Sequence, residues 1–178
     1  IESYHKYIGP PLLRSFEVYA NATPEEAQEL LGYYRERFST VGLFENEVYP
    51  GMPELLDRLC QAGKTMMVAT SKPEVFARKI LDHFQLAAYF SFVGGATLDG
   101  VRSTKEEVID YVLKTKEVVS LSEVIMVGDR KFDILGAKHA GVSSVGCVYG
   151  YGSREELETA GADYVVDSIG ELQNLLLP

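Results

Sequence analysis

Two aspartates follow the most apolar short segment of the sequence. Residues 124–127 read Val-Ile-Met-Val, Gly128 and Asp129 come next, and Asp133 stands four residues further on. If a helix begins just after Asp129, both carboxylates face one point above the end of the preceding strand. Carboxylate oxygens suit Mg²⁺, so Asp129 and Asp133 are candidate metal ligands. The alternative is structural, because Asp is also a favoured helix N-cap.

A second set of polar residues ends an earlier apolar segment at residues 65–70. Thr70, Ser71 and Lys72 stand at this point, and Pro73 follows them and opens a predicted helix. A hydroxyl group beside the backbone N–H groups of a helix start suits a phosphate oxygen. Helix capping explains the same hydroxyl groups without any ligand, so both interpretations stay open for this segment.

A lysine occupies the first turn of another predicted helix. The dipole of a helix disfavours a cation there, but the cost is only about 0.3–1 kcal/mol and solvent can tolerate it. Lys105 combined with the N–H groups of the helix start would nevertheless form a strong anion site. Ser103 followed by Glu106 predicts a capping box at the start of this helix.

The elements that must position these residues alternate from about Leu43 onward. Strand-like and helix-like runs follow one another, which predicts a Rossmann-like parallel sheet with helices on both faces. Ligands bind such sheets at the carboxyl ends of the strands, where the candidate residues stand. The loop 149–152, Tyr-Gly-Tyr-Gly, follows a core strand and is expected to line the binding cleft, although its glycines also suit a simple turn.

The first forty residues have a different pattern, with helical spacing and no strand. Pro10 and Pro11 open one helix, and the capping box Thr23-Pro24-Glu25-Glu26 opens a second. We therefore expect a small all-helical domain over residues 1–45 and an α/β core domain over residues 46–178.

Composition excludes several classes of protein. The chain of 178 residues has 26 acidic and 17 basic residues and a formal net charge of −9, which argues against a nucleic-acid partner. No apolar run approaches the about 20 residues that cross a bilayer. Cys60 and Cys147 show no metal-binding or disulfide spacing, so we expect two buried free thiols and a cytoplasmic location. The oligomeric state stays open.

In this chain order, the three sets of polar residues resemble the motifs of phosphatases of the haloacid dehalogenase superfamily. Thr70 matches the second motif, Lys105 the third, and Gly128-Asp129-Arg130-Lys131-Phe132-Asp133 the fourth. The whole chain is most similar to the phosphoglycolate-phosphatase-like branch. Residues 8–12 (Ile-Gly-Pro-Pro-Leu) and 70–73 (Thr-Ser-Lys-Pro) resemble a subgroup of phosphatases and 5′-nucleotidases. The helical start resembles the end of the cap domain of the family.

The resemblance implies a Mg²⁺-dependent hydrolase of a small phosphorylated metabolite that works through an aspartyl-phosphate. Asp129 would ligate Mg²⁺, and Asp133 would hold the ion through water or orient Lys105. Thr70 would donate a hydrogen bond to the phosphate, and Lys105 would offset its charge. Four side chains beside these positions are candidate substrate contacts: Ser71, Lys72, Arg130 and Arg14.

The first motif of the family is not found in the sequence. This motif is Asp-x-Asp on a strand that precedes the cap, and it supplies the nucleophile and the acid–base group. Asp99-Gly100 resembles it only superficially, in a turn-like context. We therefore expect that the nucleophile precedes residue 1, that residues 1–178 alone are inactive, and that the core lacks a central strand between those ending at Thr70 and Asp129.

Three other functions stay open on the sequence alone. A phosphomutase or phosphonatase of the same superfamily would show the same three motifs. A non-catalytic relative or interaction protein would explain the missing first motif, but it would not need Thr70, Lys105, Asp129 and Asp133 together. An unrelated nucleotide-binding domain is disfavoured because no glycine-rich phosphate loop follows a strand. The motifs do not identify the leaving group of the phosphate ester.

Overall fold

The computed structural model describes residues 6–177 as eight helices and five strands, together with short 3₁₀ turns. The elements are α1 Leu12–Tyr19, α2 Pro24–Phe38, α3 Met52–Gln61, β1 Met67–Pro73, α4 Glu74–His83, β2 Phe92–Ala96, α5 Lys105–Thr115, β3 Ile125–Gly128, α6 Lys131–Ala140, β4 Ser143–Cys147, α7 Arg154–Ala160, β5 Tyr164–Val166 and α8 Ile169–Leu176. None of these helices is long and apolar enough to cross a membrane.

The strands are parallel, as the alternating pattern predicted, but they form two sheets. β1 pairs with β2, and β4 lies between β3 and β5. Within residues 6–177 no backbone hydrogen bonds join β1 to β3. These are the two strands between which the sequence predicted that a strand is missing.

Helices cover both faces of the larger sheet. Val145 and Cys147 point to one face and pack in a buried cluster with Leu55 and Leu59 of α3. On the opposite face, a side chain at Gly146 would meet Leu157 of α7. Because successive residues of a strand alternate between faces, β4 is enclosed by apolar side chains on both sides.

The smaller sheet has the same layered construction. α5 covers one face, where a side chain at Gly94 would collide with Val112. The start of α4 lies against the other face, where a side chain at Gly95 would collide with the backbone of Lys72 and Glu74. The α/β class is thus confirmed, and each sheet has helices packed against it.

The N-terminal part of the described chain is helical, and α1 contacts α2. The predicted capping box of α2 is present: the backbone N–H of Glu26 donates to the Thr23 hydroxyl, and the N–H of Thr23 donates to the Glu26 carboxylate. In α5 the capping box lies one residue later than predicted, at Thr104 and Glu107. This shift leaves Lys105 at the first helical position.

Two further expectations need correction. β1 continues through Ser71 and Lys72 to Pro73 instead of ending at Thr70, and its register with β2 shifts between Thr70 and Pro73. Cys147 is buried as expected, but Cys60 is exposed. The buried face of α3 is formed by Leu55, Leu56 and Leu59, and Cys60 lies at the edge of that face.

Candidate active site

A cavity of about 370 Å³ lies between the helical N-terminal region and the carboxyl ends of β1 and β3. All of the predicted site residues except Arg14 line it: Thr70, Ser71, Lys72, Lys105, Asp129, Arg130 and Asp133. Arg14 is exposed on α1 and is not among the lining residues. Residues that lie 63 positions apart in the sequence, from Thr70 to Asp133, therefore share one wall.

Asp133 is the most completely hydrogen-bonded side chain of the site. Its Oδ2 accepts hydrogen bonds from the backbone N–H groups of Asp129 (3.1 Å) and Arg130 (3.0 Å). Its Oδ1 lies 2.8 Å from the Lys105 ammonium. A side chain at Gly128 would collide with this carboxylate, which explains why glycine precedes Asp129. Because both oxygens are occupied, the geometry favours Asp133 as the group that orients Lys105.

Lys105 joins the two sheets across the cavity. Its ammonium donates to the backbone carbonyl of Ala69 in β1 (2.9 Å) and pairs with Asp133 after β3. Only 11% of the Lys105 side chain and 7% of the Asp133 side chain are exposed. A buried pair of this kind is fixed in place, because separating the charges would leave both without partners in a medium of low polarity.

Asp129 is held by the loop that follows β4. The backbone N–H of Tyr151 donates to Asp129 Oδ2 (2.8 Å), and the N–H of Gly152 donates to the Asp129 carbonyl (2.9 Å). Side chains at Gly150 or Gly152 would collide with Asp129. The loop 149–152 thus contacts the site through Asp129 without lining the cavity, and its glycines are required for this close approach.

The carboxylate of Asp129 is half-buried. Burial raises its pKa, the Tyr151 N–H opposes this effect, and the negative charge of Asp133 raises the pKa further. No ion pair joins Asp129 to a basic side chain of residues 6–177. The charge of Arg130 lowers the pKa of Asp129 without cancelling the rise, so the ionised carboxylate keeps a desolvation cost that a cation would offset.

The cavity offers few carboxylate oxygens to a Mg²⁺ ion. Within the described chain, no group of three or more acidic, histidine or cysteine side chains could hold a metal ion. Asp129 offers one oxygen that makes no hydrogen bond within residues 6–177, while both oxygens of Asp133 are used. Mg²⁺ commonly binds through one or two carboxylates together with water and substrate phosphate oxygens. Asp129 fits that mode, with Asp133 as its neighbour.

The end of β1 presents a hydroxyl group and an ammonium. Ser71 and Lys72 occupy the register shift of β1, and the Thr70 hydroxyl oxygen accepts a hydrogen bond from the Lys72 backbone N–H (3.1 Å). The Lys72 ammonium lies 4.5 Å from the centre of the Phe38 ring. Burial lowers the pKa of Lys72, and the ammonium forms no ion pair with any residue that the structure describes.

Arg130 is used differently from the sequence expectation. It is 9% exposed, and its guanidinium donates to Glu156 of α7 (2.8 Å) and to the backbone carbonyl of Ile8. These contacts tie the N-terminal region to the core beside the fourth motif. Substrate binding by Arg130 stays a prediction, and the geometry supports a structural role.

The helical wall of the cavity was not predicted from the sequence. α2 contributes Leu31, Tyr34, Arg35 and Phe38 to this wall. Arg35 donates to the backbone carbonyl of Leu98 (3.0 Å) and so links α2 to the core. The signal was the helical spacing of Tyr34 and Phe38, which marks an apolar face but does not show what that face covers.

The sequence and the fold of the chain are similar to those of known proteins. Residues 1–147 match the haloacid dehalogenase-like hydrolase family. A 5′-nucleotidase from Pseudomonas aeruginosa is 42% identical over 170 residues, covering 96% of this chain and 76% of that protein. A phosphoglycolate phosphatase from Vibrio parahaemolyticus is 33% identical over 165 residues, covering 93% and 72%. The crystal structure of a predicted phosphatase from Clostridium acetobutylicum superposes with a TM-score of 0.95 at 46% identity, covering 98% and 81%.

Proposed function

The chain belongs to the haloacid dehalogenase-like hydrolase family, and we propose that it acts as a Mg²⁺-dependent phosphatase of a small phosphorylated metabolite through an aspartyl-phosphate intermediate. One observation carries the proposal: the Lys105 ammonium binds both Asp133 and the Ala69 carbonyl. This contact brings the second, third and fourth motifs to one cavity.

The phosphoryl group would bind at the end of β1. The Thr70 hydroxyl oxygen already accepts a hydrogen bond from Lys72, which leaves its proton available for a non-bridging phosphate oxygen. Lys105 would offset the negative charge that develops on the phosphoryl group. Asp133 would hold the ammonium in position. Ser71 and Lys72 would contact the substrate beside this point.

Mg²⁺ bound through Asp129 would supply a positive charge that polarises the phosphate oxygens. The chain prepares this position by burying Asp129 and by holding its other oxygen with the Tyr151 N–H. Residues 1–45 would act as a cap domain over the cavity, with α2 as its wall. Arg14 would reach the substrate only after a change in the position of α1.

The nucleophile is proposed to be an aspartate that precedes residue 1. Its carboxylate would form a bond to phosphorus while the ester P–O bond breaks, and the leaving oxygen would take a proton from the second aspartate of the motif. Water would then hydrolyse the acyl phosphate and release inorganic phosphate. Asp129 and Asp133 are the carboxylates that line the cavity within residues 6–177, and their contacts suit the cation roles described above.

The test is hydrolysis of an aryl phosphate with and without Mg²⁺. Residues 1–178 are compared with the same chain preceded by a strand that carries Asp-x-Asp, and with its Asp-x-Asp→Asn-x-Asn variant. Activity confined to the intact extended chain would support the proposal. Inactivity of all three would favour a non-catalytic relative. Activity of residues 1–178 alone would place the nucleophile within them, and Asp99 would be the first residue to replace.

A further inference from the structure

The positive charges around the cavity differ in how they are neutralised. Lys105 is paired with Asp133, and Arg130 is paired with Glu156, each at 2.8 Å. The Lys72 ammonium faces the ring of Phe38 and has no carboxylate partner among residues 6–177. Arg35 also lines the cavity without a carboxylate partner, but its guanidinium donates to the backbone carbonyl of Leu98 (3.0 Å). Within residues 6–177, Lys72 is therefore the lining cation that has neither a carboxylate nor a carbonyl partner.

The Lys72 side chain is directed toward the helical wall of the cavity. Its backbone lies in the register shift of β1, and such irregularities redirect a side chain. The ammonium contacts Phe38 on α2, which forms the wall opposite the strand ends. A phosphate ester held at Thr70 and Lys105 would extend its leaving group toward that wall.

Phe38 forms a fixed platform for this ammonium. Its ring stacks on Tyr34 (5.0 Å between centroids) and meets the edge of Phe76 (5.6 Å). An aromatic face offsets only part of the charge of a cation. Burial also lowers the pKa of Lys72, as expected for a charge that lacks a full counter-charge. An anion in the cavity would supply that counter-charge.

We propose that Lys72 selects phosphate esters whose leaving group carries a second anionic group, either a carboxylate or another phosphate. This inference rests on the proposed phosphatase function and names the substrate class of the same site. An ester with a neutral leaving group would leave the ammonium unpaired, and this cost is the basis of the discrimination. Of the two activities named for the relatives above, phosphoglycolate hydrolysis has an acidic leaving group and nucleotide hydrolysis does not.

Hydrolysis by the extended chain, which carries Asp-x-Asp before residue 1, is tested with two esters of matched size, carboxymethyl phosphate and 2-hydroxyethyl phosphate. We expect the protein to prefer the acidic ester, and Lys72→Met to lower kcat/KM for that ester by about 10- to 100-fold, the range for a lost charged contact. For 2-hydroxyethyl phosphate, whose leaving group is uncharged, Lys72→Met should change kcat/KM by less than about threefold. Lys72→Arg should restore part of the preference. The exposed Lys79→Met, which removes the same charge outside the cavity, should match the original protein.

A binding experiment separates this inference from the phosphatase proposal. Calorimetry in the presence of Mg²⁺ measures the affinities of three phosphonates. Their second group is a carboxylate in 3-phosphonopropanoate, a phosphonate in propane-1,3-bisphosphonate and an uncharged hydroxyl in 3-hydroxypropylphosphonate, which is the neutral ligand of the set. Tighter binding of either acidic ligand that is lost in Lys72→Met supports the inference even if no ester is hydrolysed, and the tighter of the two identifies the second group. Equal losses for acidic and neutral ligands would overturn it, since Lys72 would then bind the phosphoryl group. An unchanged affinity in Lys72→Met would overturn it as well.

Discussion

The ends of β3 and β1 face the same cavity but are held in different ways. At the end of β3, Asp133 uses both carboxylate oxygens, and Asp129 is fixed by the N–H of Tyr151. At the end of β1, the Lys72 ammonium has only an aromatic face as its partner within the described chain, and the strand shifts register.

This difference separates two tasks of a phosphatase. The phosphoryl group and its cation are common to all substrates, so the groups that bind them can be fixed in advance by internal hydrogen bonds. The leaving group differs among substrates, so the residue that recognises it must keep its charge free for the ligand. On the proposed function, Asp129, Asp133 and Lys105 would provide preorganisation, and Lys72 would provide selectivity.

The largest expected effect follows from breaking the end of β3 with Asp133→Asn. This change leaves the Lys105 ammonium buried without its partner, and a broken buried ion pair costs about 3–5 kcal/mol. Urea unfolding should show this loss without a change in the m-value. The matched control is Asp167→Asn, which breaks the exposed pair with Arg154 (2.7 Å) and should cost less than about 1 kcal/mol. Similar losses of stability in Asp133→Asn and Asp167→Asn would contradict the expected difference between a buried and an exposed ion pair.

Glu156→Gln should have the next largest effect. The carboxylate accepts hydrogen bonds from Arg130 (2.8 Å) and from the Lys131 backbone N–H (2.9 Å), and a charged hydrogen bond contributes about 1.5–3 kcal/mol. Glu158→Gln on the same helix, which removes an exposed pair with Arg154 at 3.3 Å, should change stability much less.

The effect of Glu156 on stability should depend on pH. Burial alone would raise its pKa, but the contacts with Arg130 and Lys131 outweigh burial and lower it. A carboxylate with a lowered folded-state pKa contributes stability above its unfolded pKa and loses that contribution as pH falls through the folded value. The difference between Glu156→Gln and the original protein should therefore vanish in acid. A constant difference would mean that the charge is not involved.

The sequence predicted much of the β3 end because its signals are local. An apolar strand followed by Gly-Asp-x-x-x-Asp positions one carboxylate just before α6 and the other in its first turn. In the structure the backbone N–H of Asp129 donates to the Asp133 carboxylate. The same local logic predicted the capping box of Thr23 and Glu26 at the start of α2. The pairing of Asp133 with Lys105 was expected only through the resemblance, because it joins separate segments of the chain.

The β1 end was harder to predict because its features depend on tertiary contacts. The extension of β1 to Pro73 requires pairing with Ala96 of β2, which local propensity does not encode. The contact of Lys72 with Phe38 joins residues of two different regions. Arg130 was expected at the substrate because it stands beside Asp129, yet its partner Glu156 lies 26 positions away.

Asp129→Asn should have a smaller effect on stability, of the opposite sign to Asp133→Asn. The folded-state pKa of Asp129 is raised, chiefly by burial, so the ionised side chain destabilises the metal-free fold. Removing the charge should raise Tm at neutral pH, by about 2–4 °C for each 1 kcal/mol recovered. The gain should shrink as pH falls through the raised pKa and be absent below the ordinary value of 3.8.

Differential scanning calorimetry measures Tm of the original protein and of Asp129→Asn, first in a buffer with a chelator that removes metal ions. Added Mg²⁺ should raise Tm of the original protein, because a ligand that binds only the folded state stabilises it, and it should leave Asp129→Asn unchanged. A lower Tm of the variant at neutral pH would show that the Asp129 charge is already neutralised within the chain. An equal response of both proteins to Mg²⁺ would remove Asp129 from the metal site.

The smallest effect is expected at the β1 end, from the contact between Phe38 and Lys72. A double-mutant cycle with Phe38→Leu and Lys72→Met should give a coupling of about 0.5–1 kcal/mol, the size of a partly exposed cation–aromatic contact. The same cycle with Lys79→Met in place of Lys72→Met should give none, since Lys79 is exposed outside the cavity. Saturation with 3-phosphonopropanoate should reduce the coupling, because the anion would replace the ring as the partner of the ammonium. A coupling that the ligand leaves unchanged would mean that Lys72 supports the fold and does not select the substrate.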